Sequence, residues 1–168
     1  MIAAPVAADR GRTTHVAAAL LALAAWFGAA LLLAAAVAPA AFAVLPTRAL
    51  AGALVGRVLP ALFVSGILVG VLVAMLDLRF PSTPYRRGRI AGAVALAVSC
   101  AAAQLVVAPR IARLREGLAV PIDALSPMDP ARVAFGRPHA LSIGALAAGM
   151  LAAGVAMLFT VVALRNRS

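Results

Sequence analysis

Charge is scarce in this chain. Only 12% of its 168 residues are charged, five of them are acidic, and lysine is absent, because all fifteen basic residues are arginine. A soluble domain carries roughly 25% charged residues, and at this length it leaves about a third of its unfolded surface in water. So few polar side chains cannot cover that surface, which excludes a water-soluble globule. Disorder is excluded from the other side, since it requires low hydrophobicity and 65% of these residues are hydrophobic. A single cysteine, Cys100, leaves no internal disulfide to form. Catalytic signatures are also missing: there is no Gly-x-Ser-x-Gly, no His-Glu-x-x-His, no phosphate loop and no pair of carboxylates within an apolar run. The chain is therefore expected not to be an enzyme.

What remains is alanine and apolar length. Alanine occurs 45 times, mean hydropathy is +1.07, and a bilayer core of ~30 Å needs about 20 apolar residues in a helix. Four stretches meet that requirement, at about 16–45, 49–78, 90–108 and 140–164. Each is expected to be a helix, because backbone groups in lipid must be satisfied within their own segment. The expected fold is an all-α, four-transmembrane-helix bundle. It would occupy residues 16–164 as one domain, with tails at 1–15 and 165–168. The first stretch imitates a signal peptide, with Arg10 and Arg12 ahead of it and Ala41-Phe42-Ala43 behind. Its near-thirty residues exceed the 7–15 of a signal h-region, so a retained span is expected. No period of 20–50 residues repeats.

Four spans put both termini on one side. The arginines divide eight to seven between the two faces, and the Arg86, Arg87, Arg89 cluster in a short loop places the termini in the cytoplasm. The expected location is a bacterial inner membrane. A net charge of +10 would elsewhere suggest nucleic acid, but these arginines flank apolar runs and contact headgroups, so no nucleic-acid partner is expected. The third loop, Pro109 to Pro138, is long. Ile111, Leu114 and Leu118 recur there at helical spacing, as in an interfacial amphipathic helix continuing span three. Asp129-Pro130 reads as an N-cap and first helical residue of a short helix ending at Gly136.

Several residues are candidates for function. Gly52/Gly56 and Gly66/Gly70 on span two, with Gly149 on span four, are small residues at four-residue spacing, suited to close helix contact. Arg57 lies two turns into span two, where a charge either faces a cavity or snorkels. Gln104 is an uncharged polar residue inside span three. With Arg137, His139 and Ser142 these map to the long-loop face and form a candidate polar cluster, with Asp123 and Asp129 as ion-pair partners for Arg57. His139, in the first turn of span four, would be kept neutral by the helix dipole. His15 and His139 lie a full membrane thickness apart, so they cannot share a haem. Cys100, Met150 and Met157 form no soft-metal cluster, and no cofactor or metal is expected. The acidic residues lie in loops, with Asp77 at a span end. No buried carboxylate marks a proton-coupled pump.

Three segments carry a family resemblance. Gly28, Pro39 and Phe42 in span one, Ala51-Gly52-Ala53-Leu54-Val55-Gly56-Arg57 running into Pro60, and Phe135-Gly136-Arg137-Pro138-His139-Ala140-Leu141-Ser142 together resemble the transmembrane protein 205-like family, also described as domain of unknown function 4149. The last segment is similar to that family's Phe-x-x-x-His-x-x-Ser pattern. The chain departs from the family where an asparagine follows the histidine, since Gly144 and Ala145 offer no amide. The resemblance implies a four-helix membrane protein and little about activity. On the residues themselves, the leading expectation is a non-enzymatic accessory subunit that meets other membrane subunits, or a second copy of itself, through the glycine face. The alternative is a small transporter or permeability protein with a polar site between helices at the long-loop face.

Overall fold

The computed structural model describes residues 3–79, 85–118, 120, 122–126 and 128–165, with side chains from residue 14 onward except that of Asp123. All regular structure among these residues is helical. Four helices are long and apolar enough to cross a membrane: α1 (Thr14–Val44), α2 (Arg48–Arg79), α3 (Arg86–Glu116) and α4 (Pro130–Arg165). The chain is a multi-pass membrane protein. The helix containing α1 already begins at Ala3, so the residues expected to form an N-terminal tail are helical from residue 3. Residues 80–84 and those beyond Arg165 lie outside the described residues.

Sequence neighbours are spatial neighbours. α2 packs on α3, α3 on α4, and α1 closes the bundle against both α2 and α4. The seam is made by small residues. At Gly70 an added Cβ would lie 2.5 Å from the Ala93 carbonyl oxygen, and at Gly92 2.8 Å from that of Ala152, so backbones touch along α2–α3 and α3–α4. Trp26 shares the core with the Phe63 ring. Its indole Nε1 donates to the Leu62 carbonyl at 2.9 Å, which gives the buried N–H a partner and pins α1 to α2.

Two spans are wound differently near the long-loop face. Leu33–Val37 of α1 and Ala102–Val107 of α3 are π-helical. Each segment ends two residues before a proline, Pro39 and Pro109. A proline ring collides with the carbonyl four residues back and offers it no N–H. Widening the preceding turn to i→i+5 bonding admits the ring without breaking the helix.

The fourth helix corrects two expectations. Asp129 does cap it, its Oδ1 accepting from the Ala131 amide at 2.8 Å, with Pro130 as first helical residue. The helix then runs 36 residues without a stop. Gly136 does not end it: the helix continues through it to Arg165, and Gly136 does not adopt the positive φ of the common glycine cap. Span four therefore begins at Pro130 rather than near residue 140. The amphipathic continuation of span three is present as Ala108–Glu116.

On the terminal face Asp77 lies at the end of α2, as expected, but the structure corrects the expectation that no carboxylate is buried. This carboxylate is 1% exposed and faces Arg89, which is 0% exposed. Arg89 Nε donates to Asp77 Oδ2 at 3.0 Å and its Nη2 donates to Oδ1, a two-pronged ion pair. Arg86 Nε donates to the Asp77 carbonyl at 2.6 Å. Tyr85, in left-handed conformation at φ 56°, turns the chain into α3 so that Arg89 arrives opposite Asp77. A buried carboxylate is thus present, neutralised by its partner.

Candidate functional site

The long-loop end of the bundle is not filled. A cavity of about 610 Å³ lies among all four spans, lined by residues of α1 (Leu33, Ala34, Ala38, Phe42), α2 (Gly52 to Phe63), α3 (Gln104 to Arg115) and α4 (His139 to Leu146). A second cavity of about 570 Å³ adjoins it toward the loop, lined also by Arg48, Leu118, Val120, Ile122 and Phe135. The two share Phe42, Gly52, Arg115 and His139. Both volumes fall in the range of about 300–1,000 Å³ typical of ligand pockets. The deeper walls are almost wholly apolar.

The π segments and prolines explain why space remains here. Leu33, Ala34, Gln104, Ala108 and Pro109 all line the inner cavity, so both widened turns border it. Along α2 the lining runs from Gly52 to Phe63. Eleven residues at 1.5 Å rise is about 17 Å, roughly half of a 30 Å hydrocarbon core. The cavity thus has a length equal to about half of a hydrocarbon core.

Four polar side chains enter this apolar space. Gln104 Oε1 is buried with no hydrogen-bond partner among the described residues. Ser142 is buried on α4 at the wall. Phe135 and His139, one helical turn apart, stack with ring centroids 5.8 Å apart. The Arg115 guanidinium lies 5.5 Å above the Phe135 ring, within cation–π range.

The candidate polar cluster is only partly assembled. Gln104, His139 and Ser142 line one cavity. Arg137 and Arg57 are exposed and line neither cavity. Arg57 follows Gly56, and one residue turns the helix by about 100°, which carries it off the face that Gly52 and Gly56 present. It takes the snorkelling position, and no ion pair joins it to Asp129, which serves as the helix cap. His139 is nine residues inside α4, not in its first turn, so the helix dipole does not act on it there.

The glycines divide as well. Gly66 and Gly149 surround Trp26 and Cys100: an added Cβ at Gly66 would lie 2.5 Å from Cys100 Sγ, and one at Gly149 3.3 Å from Trp26 Cη2. Gly66, Gly70 and Gly149 are therefore spent inside the bundle. Gly52 and Gly56 meet no helix. Their nearest neighbours are the Arg115 Nη atoms, 3.7 and 3.4 Å from an added Cβ. Arg115 and Phe135 are the residues that sequence reasoning missed. Their signal was present but read as an amphipathic polar face and a helix end.

A family model described as Domain of unknown function (DUF4149) matches residues 21–119. It takes in three spans together with Gly52, Gly56, Gln104 and Arg115 and stops short of α4. No curated protein and no solved structure matches the chain.

Proposed function

This chain belongs to the DUF4149 family, and from that footing we propose that it is a non-enzymatic membrane protein that binds a small amphiphile between its helices at the long-loop face. The observation that carries the reading is the unpartnered Gln104 Oε1 inside an apolar cavity of about 610 Å³. A buried polar atom without a partner costs about 1–3 kcal/mol, and a ligand that meets it recovers that cost. An occupant suited to this space is apolar over most of its length, polar at its head, and carries a hydrogen-bond donor where it passes Gln104 Oε1. The length of about half a hydrocarbon core suits a molecule drawn from one leaflet.

This is the permeability or carrier alternative rather than the accessory-subunit reading. Support for the choice comes from the glycines: those thought to face a partner are occupied by neighbouring helices or by Arg115. The test is native mass spectrometry of the tagged full chain, extracted in a non-ionic steroid detergent. The expected result is one small adduct per chain, lost when Ala108→Phe fills the cavity and weakened by Gln104→Leu. A bare chain that takes up nothing from total lipid extract, yet holds a fixed set of other membrane subunits, would overturn the proposal in favour of the accessory role.

A further inference from the structure

Arg115 carries five N–H donors in a rigid fork and cannot be deprotonated in a protein. None of them has a hydrogen-bond or ionic partner among the described residues; the side chain's one interaction is the Phe135 ring beneath it. A guanidinium at a membrane boundary ordinarily swings outward to water or bulk headgroups. This one, though exposed on its outer side, lies across the groove, against the bare backbone of α2 where Gly52 and Gly56 leave room for its two Nη atoms. Arg48 lines the same outer cavity, and among the described residues no aspartate or glutamate lines either one. Two positive charges over an apolar chamber set the charge complement of this arrangement: an anion with a tail.

We infer that the cavity mouth is an oxyanion site, in which Arg115, supported by Arg48, takes the phosphate or carboxylate head of an amphiphile whose apolar chain lies in the cavity beneath. The inference rests on the amphiphile-binding reading and adds the sign and chemistry of the head. A guanidinium fork matches phosphate and carboxylate geometry with two parallel N–H···O bonds. The Phe135 ring supports the guanidinium, and the glycine pair gives it a seat that a side chain larger than alanine would fill. Arg115 is thus the specificity-determining residue for charge, while the apolar walls select for a chain.

The test compares four probes on the full chain in a steroid-based detergent: dodecyl phosphate, dodecanoate, dodecanol and inorganic phosphate. Both anionic amphiphiles are expected to bind about tenfold or more tighter than dodecanol, since hydrogen bonds to charged groups are stronger than neutral ones. Arg115→Ala should abolish that preference, bringing both anionic probes down to the affinity of dodecanol for the same variant. Gly56→Val keeps the arginine but occupies its seat, and should reduce the preference in the same direction; Arg110→Ala, on the same helix and outside both cavities, should not. Equal binding of all three alkyl probes would overturn the head assignment while leaving the cavity reading intact. Inorganic phosphate binding as tightly as dodecyl phosphate would overturn the tail, assigning the site to a soluble anion. Binding of no alkyl probe would defeat the underlying reading as well.

Discussion

Asp77→Asn removes one negative charge and little volume, and its consequence follows from burial. Asp77 and Arg89 are 1% and 0% exposed, so the lone Arg89 cation left behind would have no water to solvate it. Breaking a buried pair from one side costs about 3–5 kcal/mol, whereas replacing both members by apolar groups of similar volume is often neutral. For a chain of this size each kcal/mol moves the midpoint by about 2–4 °C, so Asp77→Asn should lower the Tm by roughly 6–20 °C. Asp77→Leu combined with Arg89→Met should recover most of that loss. The protein carries its own reporter: Cys100 is the sole cysteine and is fully buried in the core. A maleimide dye that fluoresces on reaction will therefore report unfolding during a heating ramp, with no competing thiol. A single variant within about 2 °C of the parent would refute the argument, because the pair would then be hydrated from the headgroup region. A double variant as unstable as Asp77→Asn would refute it differently, by showing that charge neutralisation is not what the pair provides.

Three further outcomes are expected with the same thiol assay. Gly66→Ala should destabilise by about 1–3 kcal/mol, the usual range for overpacking, because its methyl would lie 2.5 Å from Cys100 Sγ and 2.7 Å from Trp26 Nε1. Gly144→Ala, with nothing within 4 Å of the added methyl, should be neutral or gain up to about 1 kcal/mol of helix propensity; a comparable loss at both sites would contradict the packing described. Asp129→Ala removes the cap on the Ala131 amide and should cost about 1 kcal/mol, with Asp129→Ser close to the parent. Trp26→Phe deletes the hydrogen bond to Leu62 and should cost about 1 kcal/mol plus the void left by the smaller ring.

The spans were legible because their signal is additive: about 20 apolar residues in lipid admit one solution, whatever their order. Asp129-Pro130 was legible because a cap is a local device that needs only its own few residues. What escaped depends on how separate segments meet. Asp77 and Arg89 stand twelve apart, and their pairing rests on the backbone at Tyr85 bringing α3 back antiparallel to α2, a conformation that a tyrosine seldom adopts. Gly136 looked like a stop, yet glycine permits a helix end without imposing one, and neighbours rather than identity decide here. Among the arginines, Arg57 drew attention through its depth in span two and Arg115 drew none at the end of span three. The difference that mattered was angular: Gly52 and Gly56 face the cavity, Arg57 is turned away from them, and Arg115 reaches across from another helix. The lone glutamine was singled out for its polarity, but its lack of a partner emerges only once four helices are assembled around it.

The two π-helical turns have a consequence for how this chain tolerates the loss of a single residue. A π turn is an α-helix holding one residue too many, so Leu33–Val37 and Ala102–Val107 each store a spare position. Deleting Ala35, or Ala102, would let the turn relax to ordinary α winding and keep both flanking stretches in register. The same deletion at Ala24 or Ala95, in regular helix, would rotate everything downstream by about 100° and present the wrong face to the bundle. Spans one and three should therefore accept shortening by one residue at those turns and nowhere else along their membrane length. The membrane-deep half of the bundle would survive such an edit, and the change would be felt at the cavity, whose walls the two turns hold apart.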